Sequence, residues 1–256
     1  MIDPLWLIPL GFVAGILGSM IGLGGGIIVV PVLTFFGFPP TLSASNSLFA
    51  AFSNAVGSTI SYSRQKRINY SLGLKLGLLC IPGTILGAYI SSDVTSGIFK
   101  MLFGLVLISS AVYIFLRKKI ETKEKKLTKF MIIFVIASSF FAGIISSFFG
   151  IGGGIIFVPL MVVGIGMTMK NAAPTSQFVL LFASMSGIIT HSLLGHPDFL
   201  QAGLLSVGAF GGGIIGARLS LDIQEKSLQI LVSTIIIIAA IKLFFDSISE
   251  NMVIGS

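Results

Sequence analysis

The chain reads as an all-α, polytopic integral membrane protein made of two homologous halves, and three features of its 256 residues carry that reading. Hydrophobic residues make up 54% of the sequence and charged residues only 10%, against about a quarter charged in ordinary soluble domains. The charges are also segregated. No Asp, Glu, Lys or Arg occurs from Pro4 to Ser63, from Phe130 to Met169, or from Asn171 to Pro197. A membrane helix needs about 20 apolar residues, so each tract is expected to hold more than one crossing. Third, the chain repeats itself. Ala14-Gly15 through Gly22-Leu-Gly-Gly-Gly-Ile-Ile-Val-Val-Pro31 returns as Ala142-Gly143 through Gly150-Ile-Gly-Gly-Gly-Ile-Ile-Phe-Val-Pro159. After a one-residue slip, Ala44-Ser-Asn-Ser47 aligns with Ala173-Pro-Thr-Ser176, and Gly83 and Gly87-Ala88 align with Gly212 and Gly216-Ala217. Correspondence across most of each half implies duplication.

Each half shows four apolar segments, near 5–36, 43–62, 72–91 and 98–116, then 130–163, 172–192, 200–217 and 228–245. The resulting units are a first membrane repeat at 1–116, a basic cytoplasmic linker at 117–129 and a second repeat at 130–256. The N-terminal segment lacks a basic stretch before its apolar run and is not expected to be a secretory signal. As one helix, the first segment would be about 48 Å long at 1.5 Å per residue, against a hydrocarbon core of about 30 Å. Gly22-Leu-Gly-Gly-Gly26 lies in its middle, where helix propensity is lowest. The segment is therefore expected to be a broken span or a re-entrant hairpin. If it enters and leaves on one side, 14 of the 16 basic residues share one face. A single crossing leaves 12. Basic loops stay in the cytoplasm, so the re-entrant topology is preferred, with inverted halves and both chain ends outside. The loop Arg64–Arg67 carries three basic residues and its counterpart, Ser192–Asp198, none, as an upside-down copy should.

The basic balance, a formal charge of +7, does not indicate nucleic acid, because the cations lie between apolar segments. They are topology determinants, and the linker meets anionic lipid. One cysteine, Cys80, excludes an internal disulfide. No pair of histidines within a span has metal-ligand spacing, so neither metal nor cofactor is expected. The glycine clusters do not form a nucleotide-binding loop, since no strand pattern precedes them and no lysine follows. Two readings stand. Small residues can let helices pack closely, or the backbone can unwind at membrane depth, where its N–H groups attract an anion. Polar residues follow each cluster: Ser45-Asn46-Ser47, Ser53-Asn54 and Ser58, then Thr175-Ser176-Gln177, Ser184, Ser186, Thr190 and His191. Asn and Gln are costly to bury in hydrocarbon, so Asn46, Asn54 and Gln177 should face a polar partner or cavity. His191 is the sole histidine within an expected span, a candidate proton relay or an interfacial residue. No span contains Asp or Glu, which argues against buried carboxylates on an ion pathway. No nucleophile–base motif suggests an enzyme.

These motifs resemble the sulfite exporter TauE/SafE family of membrane permeases. The resemblance rests on Gly22-x-Gly-Gly-Gly26 with Pro31, on Gly150-x-Gly-Gly-Gly154 with Pro159, on Thr175-Ser176, and on Gly83/Gly87 with Gly212/Gly216. Asn46-Ser47 stands where the family tends to have Thr-Ser. The resemblance implies secondary transport of small anions, often sulfur oxyanions or organosulfonates such as sulfite or sulfoacetate, across the cell membrane. The expected anion site lies between the glycine loops: Gly22, Gly24, Gly25, Gly26, Asn46, Ser47, Gly150, Gly152, Gly153, Gly154, Thr175, Ser176 and Gln177. An anion channel and a non-transporting assembly partner are the alternatives, and a homodimer is left open.

Overall fold

The computed structural model describes residues 3–116, 129–221, 234 and 237–243. The linker residues 117–128 and most of the eighth apolar segment, 228–245, lie outside the described residues. After a 3-10 turn at Pro4–Trp6 come α1 (Leu7–Ile21), α2 (Gly26–Phe35), α3 (Pro40–Arg64), α4 (Tyr70–Ser92), α5 (Ser96–Leu116) and α6 (Lys129–Phe149). Then follow α7 (Gly154–Pro159), a π-helical turn at Leu160–Ile165, α8 (Met169–Leu193) and α9 (Phe199–Leu219). Among the described residues, Pro4–Ile21, α4, α8 and α9 are each long and apolar enough to cross a membrane. The polarity is inside-out: Leu78 on α4 is 53% exposed and Val207 on α9 67%, while Asn46, Asn54 and Gln177 are wholly buried. An all-helical bundle with apolar faces outward and amides inward suits a lipid solvent, and the chain is an integral membrane protein.

Helix directions follow from which residues meet. A Cβ added to Gly208, Gly212 or Gly216 would lie 2.0–2.3 Å from the carbonyl oxygen of Ile8, Phe12 or Ile16, respectively. Both series rise by four, so α1 and α9 are parallel, with backbones closer than any side chain permits. Gly83 and Gly87 meet the carbonyls of Phe140 and Ile144 in the same way, which makes α4 parallel to α6. Gly73 meets Phe178 and Gly77 meets Phe182, so α4 is parallel to α8. Asn46 bonds Gln201 and Gln65 bonds Ala217, so α3 is parallel to α9. By contrast Leu48 meets Gly187 and Ser58 bonds Gln177, so α3 and α8 are antiparallel.

α1 and α3 thus run the same way, which is possible only because α2 carries the chain back between them. Trp6 at the start of α1 packs against Phe36 after α2, the rings tilted by 50° with centroids 4.8 Å apart, which fixes the open end of this helical hairpin. The first helix of each half also pairs with the third apolar segment of the other: α1 with α9, and α6 with α4. Each half therefore places its broken element on a helix of the other half, and neither packs alone.

The breaks have a local cause. At Gly22 and Gly24 the backbone is left-handed, φ +81° and +76°, a conformation that costs other L-residues about 1–2 kcal/mol. The carbonyl of Gly18 accepts the N–H groups of Gly22, Leu23 and Gly24, closing α1. In the second copy Gly150, Gly152 and Gly153 have φ of +71°, +74° and +83°. Beyond Pro159, which has no N–H to offer a regular ladder, the chain widens into the π-turn ending at Gly166.

Candidate functional site between the glycine loops

The two loops lie against each other in antiparallel fashion at the centre of the bundle. A Cβ on Gly26 would fall 2.3 Å from the Gly150 carbonyl oxygen, and one on Gly154 would fall 2.4 Å from that of Gly22. Gly22 in turn abuts Ala173 of α8, and Gly150 abuts Ala44 of α3. All residues of both loops are buried.

The predicted side chains divide into two groups. Ser47, Ser176 and Gln177 face the loops. The Ser176 hydroxyl donates to the Gly22 carbonyl at 2.7 Å, and Gln177 Nε2 donates to the Gly18 carbonyl at 3.0 Å. Gln177 Oε1 accepts from Ser58 Oγ at 3.3 Å. Asn46 and Thr175 instead turn toward neighbouring helix starts. The Asp198 N–H donates to Asn46 Oδ1 at 3.0 Å, and the Asn69 N–H donates to Thr175 Oγ1 at 3.0 Å. Asn69 and Asp198 are equivalent in the repeat, and each side chain caps its own helix, α4 or α9. Asn46 thus makes the contact that threonine makes in the second half, and its Nδ2 adds a bond to Gln201 Oε1 at 3.2 Å.

The first loop carries more hydrogen bonds than the second, in which the Ile151 N–H donates to the Ser146 carbonyl at 3.1 Å. In the first, the N–H groups at 22–24 are taken up by Gly18, the Gly22 carbonyl by Ser176. Ser47, Ser146, Ser147 and Ser184 on the helices around the two loops are buried hydroxyls without a hydrogen-bond partner, and the Asn54 amide, expected to face a polar partner, is unpaired as well. Ser47 is the repeat equivalent of Ser176, yet makes no such bond. Ser146 lies against Gly153, and Ser147 Oγ against Gly187. Each unpaired buried hydroxyl costs about 1–3 kcal/mol and leaves one donor open.

One apolar side chain, not singled out from the sequence, stands between the loops. Leu180 Cδ2 lies 2.6 Å from the Cβ position of Gly24 and 3.1 Å from that of Gly152. A groove of about 530 Å³ opens elsewhere, between α5, α6, α7 and the π-turn, lined by residues including Val106, Phe134, Ile145 and Gly164. Gly164 stands where the first half has Phe36 against Trp6, and no predicted site residue lines this groove.

His191 is buried and bound at both ring nitrogens. Its Nε2 meets the Ser147 carbonyl at 3.1 Å and its Nδ1 meets His196 Nδ1 at 2.8 Å. A carbonyl only accepts, so Nε2 carries the proton; in neutral rings His196 Nδ1–H then donates to His191 Nδ1. Ser92 Oγ lies 3.3 Å from His196 Nε2. The repeat equivalent of His191, Tyr62, donates to the Ser19 carbonyl at 2.8 Å. The repeat therefore uses positions 62 and 191 alike, to hold the C-terminal end of the first helix of each half. Arg67, equivalent to His196, donates to the Lys170 carbonyl, Gln65 and Ser220, pinning the opposite end of the bundle.

The sequence matches the model of the family described as sulfite exporter TauE/SafE over residues 7–243. It is 30% identical to YunE of Bacillus subtilis, a probable membrane transporter protein, covering 94% of this chain and 97% of the relative. A probable membrane transporter protein of Methanocaldococcus jannaschii is 30% identical, with 90% of this chain and 91% of the relative covered. YfcA of Escherichia coli K12, likewise a probable membrane transporter protein, is 23% identical over 98% of this chain and 94% of the relative. No solved structure matches the chain. With a family match over nearly its whole length and the doubled glycine hairpin at its centre, the chain belongs to the sulfite exporter TauE/SafE family of membrane transporters.

Proposed function

We propose that the protein is a plasma-membrane permease for small anions, sulfur oxyanions or organosulfonates, working by alternating access where the two glycine loops meet. The observation that carries this reading is the set of unpaired buried donors Ser47, Ser146, Ser147 and Ser184 on the helices around the two loops. Neutral hydroxyls that lack acceptors match the several oxygens of a sulfur oxyanion, and they bind it without a buried counter-charge. The helices α1–α9 contain no Asp or Glu that would repel it.

The antiparallel crossing of α3 and α8, which are equivalent in the repeat, supports inverted halves in the bilayer. Alternating access then exchanges the bonded environment of one loop with the open environment of the other. An inside-negative potential drives an anion outward by about 2.3 kcal/mol per charge per 100 mV, so export runs as a uniport without a proton relay. The binding role extends from Ser47, Ser176, Gln177 and the loop glycines to Asn46 and Thr175 through the helix joints that these two secure.

The test is flux in proteoliposomes of purified protein, with sulfite, thiosulfate, sulfoacetate, sulfate and carboxylates. Saturable, trans-stimulated flux of a sulfur anion, following membrane potential rather than a pH step and reduced in Ser47→Ala, is the expected result. Large unsaturable currents favour a channel. No flux of any anion refutes the permease reading.

A further inference from the structure

Resting on that reading, we propose that Leu180 is the closure between the two glycine loops and sets the size of anion that passes between them. Leu180 is wholly buried and lies on the face of α8 that also carries Gln177, Ser184 and Gly187, at helical spacings of three and four. One of its methyl groups touches both loops. The Cβ position of Gly24 is 2.6 Å from Leu180 Cδ2, and that of Gly152 is 3.1 Å from the same atom. Any side chain at either glycine would collide with it or crowd it, so the loops and this leucine are shaped to one another.

The repeat equivalent of Leu180 is Ala51, whose Cβ lies 3.3 Å from the Cβ position of Gly152. The centre thus pairs one large side chain with one small one. Two leucines would overfill the space, and two alanines would leave it open. The asymmetry parallels that of the polar groups: Ser176 of α8 bonds the Gly22 carbonyl, whereas its repeat equivalent on α3, Ser47, is unpaired.

An anion cannot lie between the loops while the Leu180 methyl occupies that space. The backbone there is held by left-handed glycines and cannot easily retreat, but a leucine can move its methyls by several ångströms by changing χ between staggered wells. The side chain is therefore the movable part. Packed in place it forms an apolar barrier that a hydrated ion does not cross; rotated away it clears a passage whose width depends on its own volume.

Two permanently charged probes with the same headgroup, methanesulfonate and benzenesulfonate, test this in proteoliposomes of the wild type, Leu180→Val, Leu180→Ala and Leu180→Phe. Trimming should raise the benzenesulfonate-to-methanesulfonate flux ratio by about tenfold or more in Leu180→Ala, with Leu180→Val between it and the wild type. Leu180→Phe should slow both probes. Leu180→Val carries the test if the alanine variant does not purify as a monodisperse species. Wild-type flux with a ratio unchanged by trimming overturns the assignment of Leu180 and leaves the permease reading standing. Absence of flux for every anion in the wild type overturns both.

Discussion

Gly24 and Gly152 occupy equivalent positions with nearly equal φ, yet alanine should not cost the same at each. At Gly24 the new methyl is held in the left-handed region, at about 1–2 kcal/mol, and it also meets Leu180 Cδ2 at 2.6 Å. Overpacking of that kind adds about 1–3 kcal/mol, so Gly24→Ala should cost about 2–5 kcal/mol in all. At Gly152 the neighbours lie at 3.1 and 3.3 Å, and the conformational part dominates. The overlap at Gly24 is with one flexible side chain, and removing that side chain should relieve it. Leu180→Ala alone leaves a cavity and costs about 2–5 kcal/mol. In the Gly24→Ala/Leu180→Ala double variant the overlap disappears while the conformational cost and part of the cavity remain. The interaction energy should therefore be about 1–3 kcal/mol in the stabilising direction. Unfolding by SDS titration in mixed micelles, on all four corners of the cycle, measures it. Additivity within about 0.5 kcal/mol would mean that Leu180 does not fill the space beside Gly24.

The proposed orientation can be read with single cysteines on a Cys80→Ser background. Asp93 and Lys66 are both exposed and lie at opposite ends of α4 and α3. Asp93→Cys should react with an impermeant maleimide in intact cells, and Lys66→Cys only after permeabilisation; the reverse pattern inverts the topology. His196, in the turn between α8 and α9, has its imidazole held below the usual 6.5 by burial. The unfolded chain then takes up this proton at a higher pH than the folded one, so the contribution is complete above pH 6.5 and is lost as pH falls through the lowered folded value. The melting temperature should drop on acidification below 6.5, and drop less in His196→Asn; equal slopes in the two proteins would exclude His196 as the titrating group.

Much of this architecture was legible in the chain itself. Charge-free tracts, the repeat at an offset of 128–129 and a glycine cluster in an over-long apolar segment together require broken helices, because lipid accepts neither charges nor unpaired backbone. Counting basic residues by parity favours the hairpin as a membrane topology, and the structure adds that α1 and α3 run parallel. Which side chains meet was decided only by tertiary structure. Asn46 and Thr175 sit next to Ser47 and Ser176 in sequence, but one residue turns a helix by about 100°, enough to send them to the caps of α9 and α4 rather than to the loops. His191 looked like a lone titratable group until the packing set it beside Ser147 as Tyr62 is set beside Ser19. Leu180 could not be singled out at all. A leucine in an apolar helix carries no local signal, and its position between the loops exists only because Gly24 and Gly152, 128 residues apart, fold onto the same methyl group.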